Sequence, residues 1–248
     1  MKLNSVVVSF LFALVIIAAC GEDSLPAQPE EAGDVLGPSP SSTARVMPLG
    51  DSITQADSQH DSYRRPLWLK LKSSGFDVDF VGRQTSHHGG PPPNQDFDMD
   101  HEGHWGWRTD EVLDRVGEWA HAETPDVVLI HLGTNDVLQS QSTSSTIDEL
   151  GQIIDQIRTA NPNVSIILAQ LIPVDNLSRN AAIRSLNNEI LILAGSKDIE
   201  NSPVRVVDQF SGFDPKLDTY DGLHPNPTGE EKMAQNWFSA LEKMLKSN

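Results

Sequence analysis

An α/β fold is predicted, with a five-stranded parallel sheet covered by helices on both faces. Three observations lead there. From Ala44 to the C-terminus, short apolar runs alternate with helical patterns. Two of those runs, DVVLIHLG and VSIILAQ, are apolar without a polar face, as a strand buried on both sides must be. The chain has 248 residues, enough for one sizeable core and short for two. Strands that alternate with helices pair in parallel through right-handed crossovers.

The first segment, 1–20, is read apart from that fold as a signal peptide. Lys2 precedes an apolar run from Val6 to Ala19, too short for a comfortable membrane span. Ile17-Ala18-Ala19-Cys20 resembles a bacterial lipoprotein box, in which cleavage leaves Cys20 lipidated. The expectation is export across the inner membrane and a lipid anchor at Cys20 on a membrane or the cell surface. The competing reading is an ordinary secretory signal or short anchor with an incidental cysteine. Cys20 is the sole cysteine, so no intramolecular disulfide can form. Residues 21–43 are rich in Pro, Ser, Gly and acids, the composition of a disordered tether. The folded domain is then 44–248.

Within the domain, ARVMPL reads as the first strand and YRRPLWLKLKSSG as a helix ending at Gly75. FDVDFVG is the second strand. TDEVLDRVGEWAHA follows as a helix with Thr109 as N-cap and acids in its first turn. After the third strand, DVVLIHLG, the pattern STIDELGQIIDQIRTA puts Ile147, Leu150, Ile154 and Ile157 on one face, with Ser145 and Asp148 as a capping box. VSIILAQ is the fourth strand, NAAIRSLNNEILILAG a helix and VRVVDQF the fifth strand. The last helix, TGEEKMAQNWFSALEKML, carries Met233, Trp237, Leu241 and Met244 on a core-facing stripe, with Thr228 and Glu231 as a capping box.

In such sheets ligands bind beyond the carboxyl ends of the strands. Ser52 follows the first strand in VMPLGDSITQ. Gly106 lies between the second strand and its helix, and Asn135 follows the third strand in GTND. Asp221 and His224, in YDGLHPNPTG, follow the last strand. All five fall on one edge. Taken singly, each has a bland reading: GDS as a turn, GTND as a helix cap, DGLHPN as a polar loop. Together they supply what ester hydrolysis needs. Ser52 is the candidate nucleophile, His224 the base and Asp221 the group that orients the imidazole. The Ser52 N–H at a helix start, a bare Gly106 N–H and the Asn135 amide are candidate oxyanion donors. No G-x-S-x-G occurs, which excludes a nucleophile elbow.

GDSIT, EGHWGW, GTND and DGLHPN resemble the four blocks of the GDSL, or SGNH, hydrolase family, with Ile53 where leucine is usual. The resemblance runs from about Ala44 to the C-terminus. It implies a flavodoxin-like α/β/α sandwich, the SGNH hydrolase fold, and a serine esterase with the roles just given. MPLGDSIT, DSYRRPLW, DFVG, DHEGHWGW and PDVVLIHLGTNDV are similar to acetylxylan esterases of carbohydrate esterase family three. That narrower likeness implies deacetylation of a polysaccharide. A lysophospholipase or thioesterase on the same scaffold, and a non-catalytic glycan-binding lipoprotein, are the alternatives.

The expected partners are an acylated carbohydrate or small ester. The net charge of −17 argues against a nucleic acid. Trp105 and Trp107 flank Gly106 and either stack on a sugar or pack the loop. Tyr63 and Arg64 are expected to brace the segment after Ser52, and His131 to be a satisfied core histidine. Residues 86–104 hold several His and Asp, but neither the calcium-loop glycine nor the H-E-x-x-H spacing is present. The reading is therefore no metal, no cofactor and a mobile loop walling the cleft.

Overall fold

The computed structural model describes residues 43–246. The expected signal segment, Cys20 and most of the tether lie outside the described residues. Six strands form the sheet: β1 (Ala44–Gly50), β2 (Val78–Phe80), β3 (Glu102–Gly103), β4 (Val127–His131), β5 (Ser165–Gln170) and β6 (Val204–Asp208). All pairings are parallel, in the order β2-β1-β4-β5-β6, with β3 also on β1. β2 pairs with Ala44 to Val46, and β3 with Leu49 and Gly50. The sheet is thus five positions wide, as expected, with one outer position shared by two short strands. β3 is only Glu-Gly, too short and too polar to be read as a strand.

Helices α1 (Ser52–Gln55), α2 (Arg64–Ser73), α3 (Thr109–Glu123), α4 (Thr134–Leu138), α5 (Thr143–Ala160), α6 (Leu177–Lys197), α7 (Pro215–Asp218) and α8 (Pro227–Leu245) complete the domain. Side chains on a strand point alternately to its two faces, and the core divides accordingly. Met47, Leu49, Val128, Ile130, Ile166 and Leu168 join the α3, α5 and α6 layer. Val46, Val127, Leu129, Ile167 and Ala169 join the α2 and α8 layer. Both faces of β4 and β5 are dry, which accounts for their unbroken apolar runs. Met233, Trp237, Leu241 and Met244 of α8 are all buried, as the stripe predicts. Each such side chain contributes roughly 1.5–3 kcal/mol by leaving water. Among the described residues no helix is long and apolar enough to cross a membrane.

The helix starts need three corrections. Arg108, not Thr109, holds the cap position of α3: its N–H donates to Glu111 Oε2 at 2.9 Å, and Thr109 turns its hydroxyl to Asp136. α5 begins earlier than expected, capped by Ser142, whose Oγ accepts the Ser145 N–H at 3.1 Å. α8 is capped by Asn226, which accepts from Thr228 and Gly229 N–H. In each case several hydroxyl or acid residues lie within a turn of one another. The residue whose backbone is extended, Arg108, Ser142 or Asn226, takes the cap position.

Candidate active site

The site is built on the carboxyl end of β1. Asp51 is fully buried and its Oδ1 accepts the Ile53 N–H at 2.9 Å, capping α1 and presenting Ser52 at its first position. Gly50 is required by close approach: a Cβ there would lie 2.4 Å from the His131 carbonyl and from Thr54 Oγ1. Burial pushes the Asp51 carboxyl up to about 7, against the pull of the Ile53 N–H, and nearby Asp136 adds to the rise.

The segment after β6 brings in the other half. Asp221 Oδ1 accepts the N–H groups of Leu223 at 3.0 Å and His224 at 2.7 Å, folding the loop back on itself. Gly222, at φ 87°, makes that turn. Asp221 Oδ2 then lies 2.7 Å from His224 Nδ1, and His224 Nε2 lies 2.9 Å from Ser52 Oγ. Burial opposes ionisation of Asp221. The His224 N–H, the imidazole and the Leu223 N–H outweigh it and hold the carboxyl below its ordinary range. An ionised carboxylate only accepts, so Nδ1 carries the proton and Nε2 is free to accept the serine hydroxyl. Three residues expected to meet are therefore in one hydrogen-bonded line.

Asn135 sits in α4, and its Nδ2 donates one hydrogen to the Trp107 carbonyl at 2.8 Å. A second amide hydrogen remains for another acceptor. Gly106 is exposed at φ 80°, in a turn closed by the Trp107 N–H on the His104 carbonyl. The Trp105 N–H donates to Gln55 Oε1 at 2.8 Å, tying that turn to α1.

The two tryptophans are engaged within the protein. Trp105 stacks on His224 at 4.7 Å and on His88 at 4.5 Å between ring centroids. Trp107 stacks on His104 at 4.4 Å, and His104 in turn on Trp119 at 4.5 Å. His104 Nε2 lies 2.9 Å from the fully buried Glu102. Sequence gave no sign of either stack, because it does not say which rings lie face to face.

Tyr63 and Arg64 brace the segment after Ser52 as expected. Tyr63 Oη lies 3.1 Å from Thr54 Oγ1, and Arg64 donates to the Thr54, Gln55 and Met99 carbonyls. His131 departs from expectation. Its Nε2 accepts the Ile172 N–H at 3.4 Å, but its buried Nδ1 has no partner. Burial pushes this imidazole down to about 4, so the ring is neutral at pH 7. The 86–104 loop, expected to be mobile, is held at several points. Asp57 bridges to His88, Gln84 to His101, and Asp96 takes a two-pronged ion pair from Arg65. Asp98 accepts the Phe80 and Asp100 N–H groups. Among the described residues no group of three or more His, Cys, Asp or Glu is arranged to hold a metal.

A serine, an imidazole and a carboxylate in line at the end of a doubly covered parallel sheet define a class of acyl hydrolases. The chain belongs to the GDSL-like lipase/acylhydrolase family, whose model matches residues 49–232, and it is an esterase of that type. A family 3 carbohydrate esterase from Talaromyces cellulolyticus superposes with a TM-score of 0.75 at 31% identity, covering 83% of this chain and 100% of that one. One from Clostridium thermocellum gives 0.71 at 33%, covering 83% and 98%. An acetyl esterase mutant holding an acetate ion gives 0.74 at 30%, covering 83% and 99%. Among curated proteins, a multidomain esterase from Ruminococcus flavefaciens is 28% identical over 228 residues, 83% of this chain. The chain spans 29% of that relative's length.

Proposed function

We propose that the protein is a serine esterase that removes small acyl groups, acetyl foremost, from a polysaccharide such as acetylxylan. The observation that carries this reading is the 2.9 Å contact of His224 Nε2 with Ser52 Oγ, continued by the 2.7 Å contact to Asp221. The acetyl and carbohydrate parts rest on the likeness to an acetyl esterase and to family 3 carbohydrate esterases.

In the proposed reaction His224 Nε2 takes the Ser52 hydroxyl proton as Oγ bonds to the ester carbonyl carbon. The carbonyl oxygen becomes an oxyanion, held by the N–H of Ser52, the N–H of Gly106 and the spare amide hydrogen of Asn135. Asp221 keeps the imidazole in the required tautomer and offsets its positive charge. The imidazolium then protonates the departing sugar oxygen, leaving an acetyl group on Ser52. A water, deprotonated by His224, attacks that ester. Acetate leaves and Ser52 recovers its proton.

Acetate release from acetylated xylan, together with a chain-length series of p-nitrophenyl esters, tests the proposal. Acetate should appear, and kcat/KM should fall steadily from acetate to octanoate. Release of long acyl chains with no acetate from xylan would sink it. The lipid anchor at Cys20 is part of the same proposal, placing the domain on a membrane or cell surface where polysaccharide is met. Mass spectrometry of the N-terminal peptide from membranes of the producing cell tests that part; an unmodified Cys20 would refute it.

A further inference from the structure

Two pairs of aspartate and histidine three residues apart close the same contact. Asp57 Oδ1 lies 2.7 Å from His60 Nδ1, as Asp221 Oδ2 does from His224 Nδ1. Tyr220 joins the two pairs. Its ring lies flat on His60, centroids 3.9 Å apart and planes 7° apart. It also lies near-parallel to His224, at 5.7 Å and 15°. Its hydroxyl donates to Asp57 Oδ2 at 3.1 Å. With Trp105 and His88 the rings form one column in the order His60, Tyr220, His224, Trp105, His88.

The geometry points to Tyr220 as a positioning residue for His224, locked by the Asp57–His60 pair and favouring the imidazolium that forms during acyl transfer. The inference rests on the proposed role of His224 as base. Two physical effects support it. Near-parallel rings on His224 resist tilting out of plane but leave free the in-plane travel between Ser52 Oγ and a departing oxygen. A cation within about 6 Å of an aromatic face is attracted to it, and both Tyr220 and Trp105 are that close. Asp57 strengthens the effect, because a phenol that donates to a carboxylate has a more electron-rich ring. Burial, then Asp57, push the Tyr220 phenol further above its ordinary range, so it remains the donor.

The lock itself is strained and well held. Ala56 at φ 59° and Ser62 at φ 65° bracket the segment in the left-handed region without being glycine. Burial opposes ionisation of Asp57, but His60, the Gln59 N–H and Tyr220 outweigh it and hold the carboxyl low. The groups that bear on His224 are Asp221 on its own loop, Ser52 on α1, Asp57 and His60 behind Tyr220, and His88 behind Trp105. Glu230 of α8 also acts on Tyr220.

The test uses the full chain with Tyr220→Leu, Tyr220→Phe and Asp57→Asn, assayed on p-nitrophenyl acetate across pH. Tyr220→Leu should lower kcat about tenfold with KM nearly unchanged. Its acid limb of kcat/KM should move to lower pH by roughly half a pH unit. Tyr220→Phe keeps the ring and loses the lock, and should recover most of that loss. Asp57→Asn should match Tyr220→Phe. The ring signals of His224, followed by NMR over pH in a Ser52→Ala background, should titrate at lower pH when Tyr220→Leu is added. That readout needs no activity, so it is independent of whether Ser52 is the nucleophile. An acid limb and a ring titration that stay in place in Tyr220→Leu overturn the inference, even if kcat falls. Should Tyr220→Leu fail to fold, profiles of Tyr220→Phe and Asp57→Asn identical to the parent overturn it.

Discussion

Asp57–His60 and Asp221–His224 are the same local device put to different ends. Spacing, contact atoms and distance agree. The difference lies at the far nitrogen. His224 Nε2 meets a serine hydroxyl at the start of a helix, whereas His60 turns its face to a tyrosine. Asp98 and His101 share the spacing but bond elsewhere. Where an aspartate reaches the Nδ1 of a histidine three residues on, it creates an oriented imidazole and nothing more. What stands 3 Å beyond that imidazole decides whether it performs chemistry.

Substitutions made in parallel sharpen this contrast. The largest expected separation is between the histidines. His224→Ala should reduce kcat by about 10⁴ or more, and His60→Ala by tenfold at most, both read on p-nitrophenyl acetate. Comparable losses would mean that the second pair joins the chemistry directly. The aspartates should separate less. Asp221→Asn favours the wrong tautomer and should cost on the order of 10³ in kcat, the half-exposed site leaving water to compensate in part. Asn135→Ala probes the oxyanion side and should cost about 10²–10³ in kcat with little change in KM. A KM effect alone would assign Asn135 to ground-state binding.

The smallest effect concerns stability. Asp51 is raised from 3.8 to about 7 in the folded chain. Between those values the folded state holds a proton that the unfolded state has lost, so stability falls as pH rises through that window. Asp51→Asn keeps a cap oxygen for Ile53 and removes the buried ionisation. The variant should gain a few degrees in Tm over the parent at pH 8 and less at pH 5. An equal gain at both would disprove the assignment.

The parts legible in sequence were those that one residue type dictates. β4 and β5 announce themselves because both faces are dry. Ser52, Asn135, Asp221 and His224 announce themselves because a strand end followed by a polar residue is a recurrent place for chemistry. The caps at Arg108, Ser142 and Asn226 did not, since Ser, Thr, Asp and Asn cluster nearby and backbone geometry, which at α3 selects an arginine, decides the position. Neither did β3, whose two residues pair only because β1 leaves an edge open beside them. The spacing within the ring column stands in the sequence, since DSQH repeats DGLH, but so does DMDH, whose Asp98 and His101 bond elsewhere. The column's meaning was not legible, because Tyr220 reaches the Asp57–His60 pair across 163 residues of sequence.

That long reach also sets an order of events. Ser52 and His224 are 172 residues apart, and the Ser62 N–H is anchored by Glu230 of the last helix, 168 residues on. Chains emerge from the ribosome N-terminus first, and contacts between distant segments close late. A nascent chain therefore carries Ser52 through the synthesis of 172 further residues before His224 can reach it. The Ser52–His224–Asp221 line closes only once the segment after β6 has been made, and a chain that stops before Asp221 lacks two of its three members.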